Sequence, residues 1–221
     1  MVEFRMLGSM SLRGPDGREL RPLLAQPKRV ALLAYLAANP RFHRRDSLVA
    51  LFWPDLDQEH ARGALRQALH GLRRGLGDAA FQYRGDDDIG LNQAGIYCDV
   101  IEFERLAGAG QLVQALELYR GDLLEGFFIR GAPEFERWLE DERARVKRVA
   151  IQAATALAEQ SEAKEAWQDS AQWANRALRI APLDEGALRQ LMRMLDRLGN
   201  RAGALEAYEG FARRLATELE A

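Results

Sequence analysis

Cysteine occurs once in the 221 residues, at Cys98. One cysteine makes no internal disulfide and offers no second thiolate to a metal, so Cys98 reads as a small buried apolar side chain. Histidine is nearly as scarce, and His60 and His70 stand ten positions apart, too far for shared ligation of a metal on one helix. The sequence contains no GxxxxGK[ST], HExxH or GxSxG motif, no Cys/His cluster and no carboxylates at a catalytic spacing. Neither an enzyme nor a cofactor is expected. No apolar run is long enough to span a bilayer, and the N-terminus lacks the basic, apolar, small-residue order of a secretory leader. The default expectation is a cytoplasmic protein with no membrane partner. Lysine is also rare: Lys28, Lys147 and Lys164 apart, the 31 cations are all arginine. Arginine forks suit phosphates and guanine edges, although a compositional bias of the host gives the same count.

What remains is a globular composition, 48% apolar and 29% charged, suited to one or two folded domains. The net charge of −2 argues by itself against a polyanionic partner. It is unevenly spread. Residues 1–97 carry 14 Lys+Arg against 11 Asp+Glu, and residues 98–221 carry 17 against 22. Local potential, not the total, decides what a surface meets. Three of the early acids form the run Asp86-Asp87-Asp88, so the rest of the first part is more basic than its sum.

Alternation predicts a strand over Val2–Leu7 and short strands around Met10–Arg13 and Arg18–Leu20, with GPDG as a turn. Helical spacing predicts Pro27–Ala38, placed after a proline start, and Arg44–Trp53, stopped by Pro54. Strands at Ala80–Arg84 and Ile89–Leu91 are joined by Gly85 and the three aspartates. The character changes around Ile96–Asp99. Beyond it the pattern is almost wholly helical: Ile101–Ala107, Leu112–Tyr119, Glu134 to about Glu159, Lys164–Ile180, Asp184–Leu198 and Ala202–Glu220. Ser170, Ala174, Ala177 and Pro182 fall at the spacing of a tetratricopeptide second helix, and Ala204 and Tyr208 take equivalent places in the next unit. An ordinary helical bundle is the alternative. Trp138, Trp167 and Trp173 read as packing residues.

The most informative stretch is DLDQEHARGALRQALHGLRRGLG, Asp55–Gly77. At about 100° per residue, Ala61, Leu65, Ala68, Leu69, Leu72 and Leu76 share one side. Arg62, Arg66 and Arg73 lie on a stripe beside them, with His70 and Arg74 further round. Asp55 or Asp57 can cap the start, and Gly77 can end the helix. Such a helix docks by one edge and presents guanidinium groups on the other, as a helix in a DNA groove does. The same pattern also describes a core helix with a solvated basic face.

Several blocks carry a family resemblance: KRVALLAYLAANP, LFWPD and ARGALRQALHGLRRGLG in the first part. In the second part they are DVIEFERL, ALELYRGDLLEGF, PEFERWLEDERARV and the stretch from RALRIAPLDEGALRQ to ATELE. Through them the chain resembles the Streptomyces antibiotic regulatory protein family of bacterial transcriptional activators. The resemblance implies a mainly α protein, with a winged-helix (α+β) DNA-binding domain at 1–97 followed by an all-α, tetratricopeptide-like bacterial transcriptional activation domain at 98–221.

It further implies that Asp55–Gly77 is a recognition helix in the major groove of double-stranded DNA. Arg62, Arg66 and Arg73 would contact bases or phosphates, with Gln58 and Gln67 as adenine readers and Arg74 and His70 as outlying contacts. Arg44 and Arg45 would open the second helix, preceded by His43, where backbone N–H groups hold a phosphate. The helical half would recruit RNA polymerase, and relatives often bind repeated sites as homodimers. Two departures stand out. The acidic wing tip is expected to repel phosphate and not insert deeply. The chain also stops at ATELEA where relatives continue, as a short member or a piece of a longer regulator would. The rival reading is a helical-repeat scaffold that has lost DNA and serves protein contact or dimerisation. A small-molecule sensor is a third, with no polar constellation to mark a pocket.

Overall fold

The computed structural model describes residues 1–220. In chain order its elements are β1 (Val2–Arg5), β2 (Ser11–Arg13), α1 (Arg21–Leu24), α2 (Pro27–Ala38), β3 (His43–Arg44), α3 (Arg45–Phe52) and α4 (Gln58–Leu76). A 3-10 turn at Asp78–Ala80 leads to β4 (Phe81–Arg84), β5 (Asp88–Leu91) and β6 (Ile96–Cys98). Helices α5 (Asp99–Gly108), α6 (Leu112–Leu118), α7 (Pro133–Ala163), α8 (Trp167–Ile180), α9 (Glu185–Arg197) and α10 (Arg201–Glu220) follow. The protein is mainly α, a winged helix followed by helices. It divides into two compact units: Met1–Phe103 with Arg120–Ala144, and Glu104–Tyr119 with the chain from Arg145 on.

In the first unit, β1 pairs antiparallel with β2, Phe4 opposite Leu12, and parallel with β6, Phe4 opposite Cys98. The GPDG turn forms, Gly17 N–H donating to the Gly14 carbonyl at 2.9 Å. The strand expected at 18–20 shrinks to a single bridge between Arg13 and Glu19. Strand β6 has no counterpart in the sequence pattern, because three residues paired with the far end of the unit carry little periodicity of their own. A second sheet has the order β3-β5-β4. It is the wing, with Tyr83 opposite Ile89.

The division at 97/98 expected from the sequence falls within β6, whereas the compact unit continues to Phe103 and takes in 120–144. That later segment is woven into the N-terminal core. Leu123 bridges Leu7, and Leu124 N–H donates to the Met6 carbonyl at 2.7 Å. Arg143 donates to the carbonyls of Leu123, Leu124 and Phe127 at 2.8, 2.6 and 3.1 Å. Phe52 and Phe135 rings lie 5.2 Å apart, and Tyr35 and Trp138 meet edge-on at 4.8 Å. Aromatic pairs at these separations add to the apolar area they bury. Asp99, at the start of α5, accepts from Met6 N–H at 2.8 Å and Leu7 N–H at 3.1 Å. Its burial pushes the carboxyl above the ordinary range, against the pull of those bonds.

In the second unit α8 packs on α9 and α9 on α10. Ser170, Ala174 and Ala177 are buried as the repeat spacing predicts, and Ser170 Oγ donates to the Ala158 carbonyl at 2.9 Å. Asp184 caps α9 by accepting from Ala187 N–H at 3.0 Å. Tyr208, placed in the next unit by the same spacing, is not buried. It is 52% exposed, because its side of α10 receives no further helix among the described residues. Trp167 and Trp173 are half-buried, the first with the Arg197 guanidinium 4.5 Å above its ring.

Candidate nucleic-acid interface

Helix α4 starts at Gln58, not Asp55, because Asp57 is the residue that caps it. Its Oδ1 accepts from Glu59 and His60 N–H at 3.1 Å each, and its Oδ2 meets His60 Nδ1 at 2.7 Å. These bonds hold the Asp57 carboxyl below the usual range. The helix stops at Gly77, whose φ of 90° and ψ of 153° suit only glycine. Ala61, Leu65, Ala68, Leu69, Leu72 and Leu76 are all buried, the side that periodicity selects, and they dock α4 on α2 and α3.

The polar residues of α4 fall on two arcs. Arg62 and Arg66 are exposed and Arg73 is half-buried, all on the flank next to the core stripe. Gln67, His70 and Arg74 are exposed further round, and Gln58 is exposed at the start. Arg62 is not free: its Nε and Nη2 donate to Asp46 Oδ1 at 3.2 and 3.0 Å. Both partners are more than half exposed, so the pair is worth at most about 1 kcal/mol and is cheaply exchanged for a phosphate. Arg66 forms no ion pair among the described residues. Arg45, Asp46, Arg62, Arg66 and Asp87 surround one small hollow of about 250 Å³, so three guanidinium groups converge on a space that two carboxylates also face.

The second helix differs from expectation. Arg44 lies in β3, with an extended backbone (φ −68°, ψ 135°), and the helix begins at Arg45. The wing explains this: Arg44 pairs with Asp88 across the β3–β5 ladder, and Arg45 N–H donates to the Asp87 carbonyl at 2.8 Å. One of the N–H groups expected to hold a phosphate is therefore already used, and Asp46 brings a carboxylate to the first turn. Arg44 is exposed beside the wing tip. Arg45 is half-buried, its guanidinium 5.9 Å from the Tyr83 ring centroid and its Nε buried without a hydrogen-bond partner. His43 is buried; its Nε2 lies 3.0 Å from the Asn39 carbonyl.

The wing is less repulsive than its sequence. Asp88 is clasped by Arg84, whose Nε and Nη2 donate to Oδ2 at 3.0 and 2.6 Å. Asp86 is exposed and has no partner among the described residues. Sequence reasoning missed Asp46 as the partner of Arg62 and Asp87 as the anchor of α3. Neither has a local signal, since each acts across a tertiary contact. Among the described residues no group of three His, Cys, Asp or Glu is placed to hold a metal ion. No described helix is long and apolar enough to cross a membrane.

The signature of the family described as bacterial transcriptional activator domain matches residues 98–221. Among solved structures, the chain is similar to Mycobacterium tuberculosis EmbR, determined in complex with a low-affinity phosphopeptide. The TM-score is 0.66 at 22% identity, over 99% of this chain and 60% of that one. The chain thus spans less than two thirds of the length of EmbR. No curated protein matches.

Proposed function

Since the chain belongs to the bacterial transcriptional activator domain family, transcriptional regulators of the Streptomyces antibiotic regulatory protein type, we propose that it acts by binding double-stranded DNA sequence-specifically through α4. The observation that carries this reading is the arrangement of α4 itself. One edge is sunk in the core, and Arg62 and Arg66 stand exposed on the flank beside the wing. In this reading Arg62, Arg66 and Arg73 meet phosphates or bases on the wing side, with Arg44 at the end of β3 and Arg45 at the start of α3. Gln67, His70 and Arg74 face the groove further round the helix, and Gln58 reaches it from the helix start. The 1–97 part then serves as the DNA reader and 98–221 as the activating part, which recruits RNA polymerase and supports pairing of two copies on repeated sites. Those last roles follow from the resemblance alone.

The test is salt-titrated binding to a duplex. Arg62→Ala with Arg66→Ala is expected to weaken binding and flatten its salt dependence. Every phosphate no longer neutralised takes about 0.9 from the log–log slope. An unchanged slope removes both residues from the interface. An absence of DNA binding by the unaltered chain at low salt leaves the scaffold reading, which Asp46 and Asp87 among the arginines favour.

A further inference from the structure

On the flank of α4 away from the arginine stripe, the first unit carries an open groove of about 980 Å³. Its floor is apolar, made by Trp53, Ala64, Ala68 and Ile129, with Pro27 and Phe128 on the walls. Phe128 is 62% exposed, and this exposure is built. On one side of it, Phe127 N–H donates to the Leu124 carbonyl at 2.9 Å and its own carbonyl accepts from Arg143 at 3.1 Å. On the other side, Ile129 N–H donates to Glu136 Oε1 at 2.8 Å. The backbone flanking Phe128 is thus held while its ring is left in solvent. Exposed aromatics held rigidly beside a concave surface are the usual anchors of protein interfaces.

The rim of the groove carries more positive than negative charge. Lys28, Arg29 and Arg130 line it, and none of the three forms an ion pair among the described residues. The Lys28 ammonium is oriented by the Phe52 carbonyl at 2.9 Å and sits 5.8 Å from the Trp53 ring centroid, but carbonyls leave its charge uncancelled. Against these cations the lining sets one carboxylate, Glu59, which forms no ion pair among the described residues, and Asp55 stands near Lys28 at the Gly131 end; His60 is engaged with Asp57. Gly63, in the middle of α4, opens into the same groove, with nothing within 4 Å of where a Cβ would stand.

We propose that this groove docks an acidic segment of a protein partner that inserts one large apolar side chain beside Phe128 and Trp53. The cationic rim selects the carboxylates, and the apolar floor and Gly63 admit the anchor. A nucleic-acid strand would satisfy the rim but leave the floor and Phe128 idle, so a protein segment is the occupant that uses the whole surface.

The probe is a short fluorescein-labelled peptide of Asp and Glu around one central Phe, read by anisotropy against the full chain. A matched peptide with Ala at the centre and a labelled DNA duplex are the controls. Binding is expected to weaken about tenfold when the Phe is replaced, and again in the Phe128→Ser and Arg130→Glu variants, roughly the value of one anchor or one charge contact. DNA affinity is expected to fall less than peptide affinity in both variants, because of the residues assigned to DNA only Gln67 lines this groove. The proposal is overturned if no peptide binds, if the central Phe makes no difference, or if neither variant weakens binding. It is also overturned if Arg130→Glu weakens DNA as much as peptide, which would make the groove a phosphate track. Because peptide and duplex are read separately, failure here leaves the DNA reading intact, and the reverse also holds.

Discussion

His43 shows how much of the wing rests on one uncharged ring. It is buried, lies 5.1 Å from the Tyr35 ring, and contacts the Asn39 carbonyl through Nε2. Burial is the main cause that pulls its pKa below the ordinary 6.5, helped by the nearby Arg41 charge and opposed by the Asn39 bond. The unfolded chain therefore takes up a proton in a pH range where the folded one refuses it. The contribution of neutral His43 to stability is full above 6.5 and drains away as pH falls from there through the lowered folded value. Because β3 carries His43 and feeds directly into α3, that loss should loosen the α3 start and the wing together. Thermal melts at neutral pH and at about pH 5, below the free imidazole value, are expected to show the wild-type midpoint dropping on acidification. A His43→Gln variant, less stable at neutral pH, should show a smaller drop. Equal drops would assign the acid sensitivity to other groups.

At the scale of elements, α4 is legible in the sequence because everything that defines it is local. A cap, a 3.6-residue apolar period and a terminal glycine lie within one stretch, and the same arithmetic puts Arg62 and Arg66 on an exposed flank. The short strands are not legible. β3 has two residues and takes its form from Ile89 and Asp88 opposite it, so Arg44 reads as helix when judged by its neighbours in sequence. The site shares this split: the arginines can be placed from the sequence, but the carboxylates that face them cannot. The glycines of α4 sharpen the point, since sequence gives each the same penalty of roughly 1 kcal/mol against alanine in a helix interior. The structure separates them. A Cβ at Gly75 would come within 2.5 Å of the buried Leu23 side chain, whereas at Gly63 it meets nothing. Gly63→Ala is therefore expected to stabilise the fold by about 0.5–1 kcal/mol, the helix-propensity gain. Gly75→Ala should lose that gain, and more, to displacement of Leu23. Denaturant titrations of the two variants check the sign; a destabilising Gly63→Ala would mean that α4 is not an uninterrupted helix there.

At the scale of the whole molecule, the N-terminal core is not finished by the N-terminal sequence. Strand β6 is completed by Cys98, opposite Phe4, and the N–H groups of Met6 and Leu7 end on the Asp99 carboxylate. Phe52 and Tyr35 pack against Phe135 and Trp138, which arrive from α7. A fragment ending at residue 97 would keep every residue of the proposed DNA reader, yet it would leave two buried donors unanswered, at about 1–3 kcal/mol each. It would also expose the aromatic faces that the later segment covers. Those losses together rival the whole stability of a domain this size, roughly 5–15 kcal/mol. Fragment 1–97 is therefore expected to lack a cooperative melt and to show little protection of α2 and α4 amides from hydrogen exchange. The same residues in the intact chain should melt cooperatively. In the intact chain, Asp99→Ala should reproduce part of the effect, destabilising α5 and β1 together while leaving Arg62 and Arg66 in place. A 1–97 fragment with native-like exchange protection would mean that the 120–144 segment merely rests on a reader that is complete without it.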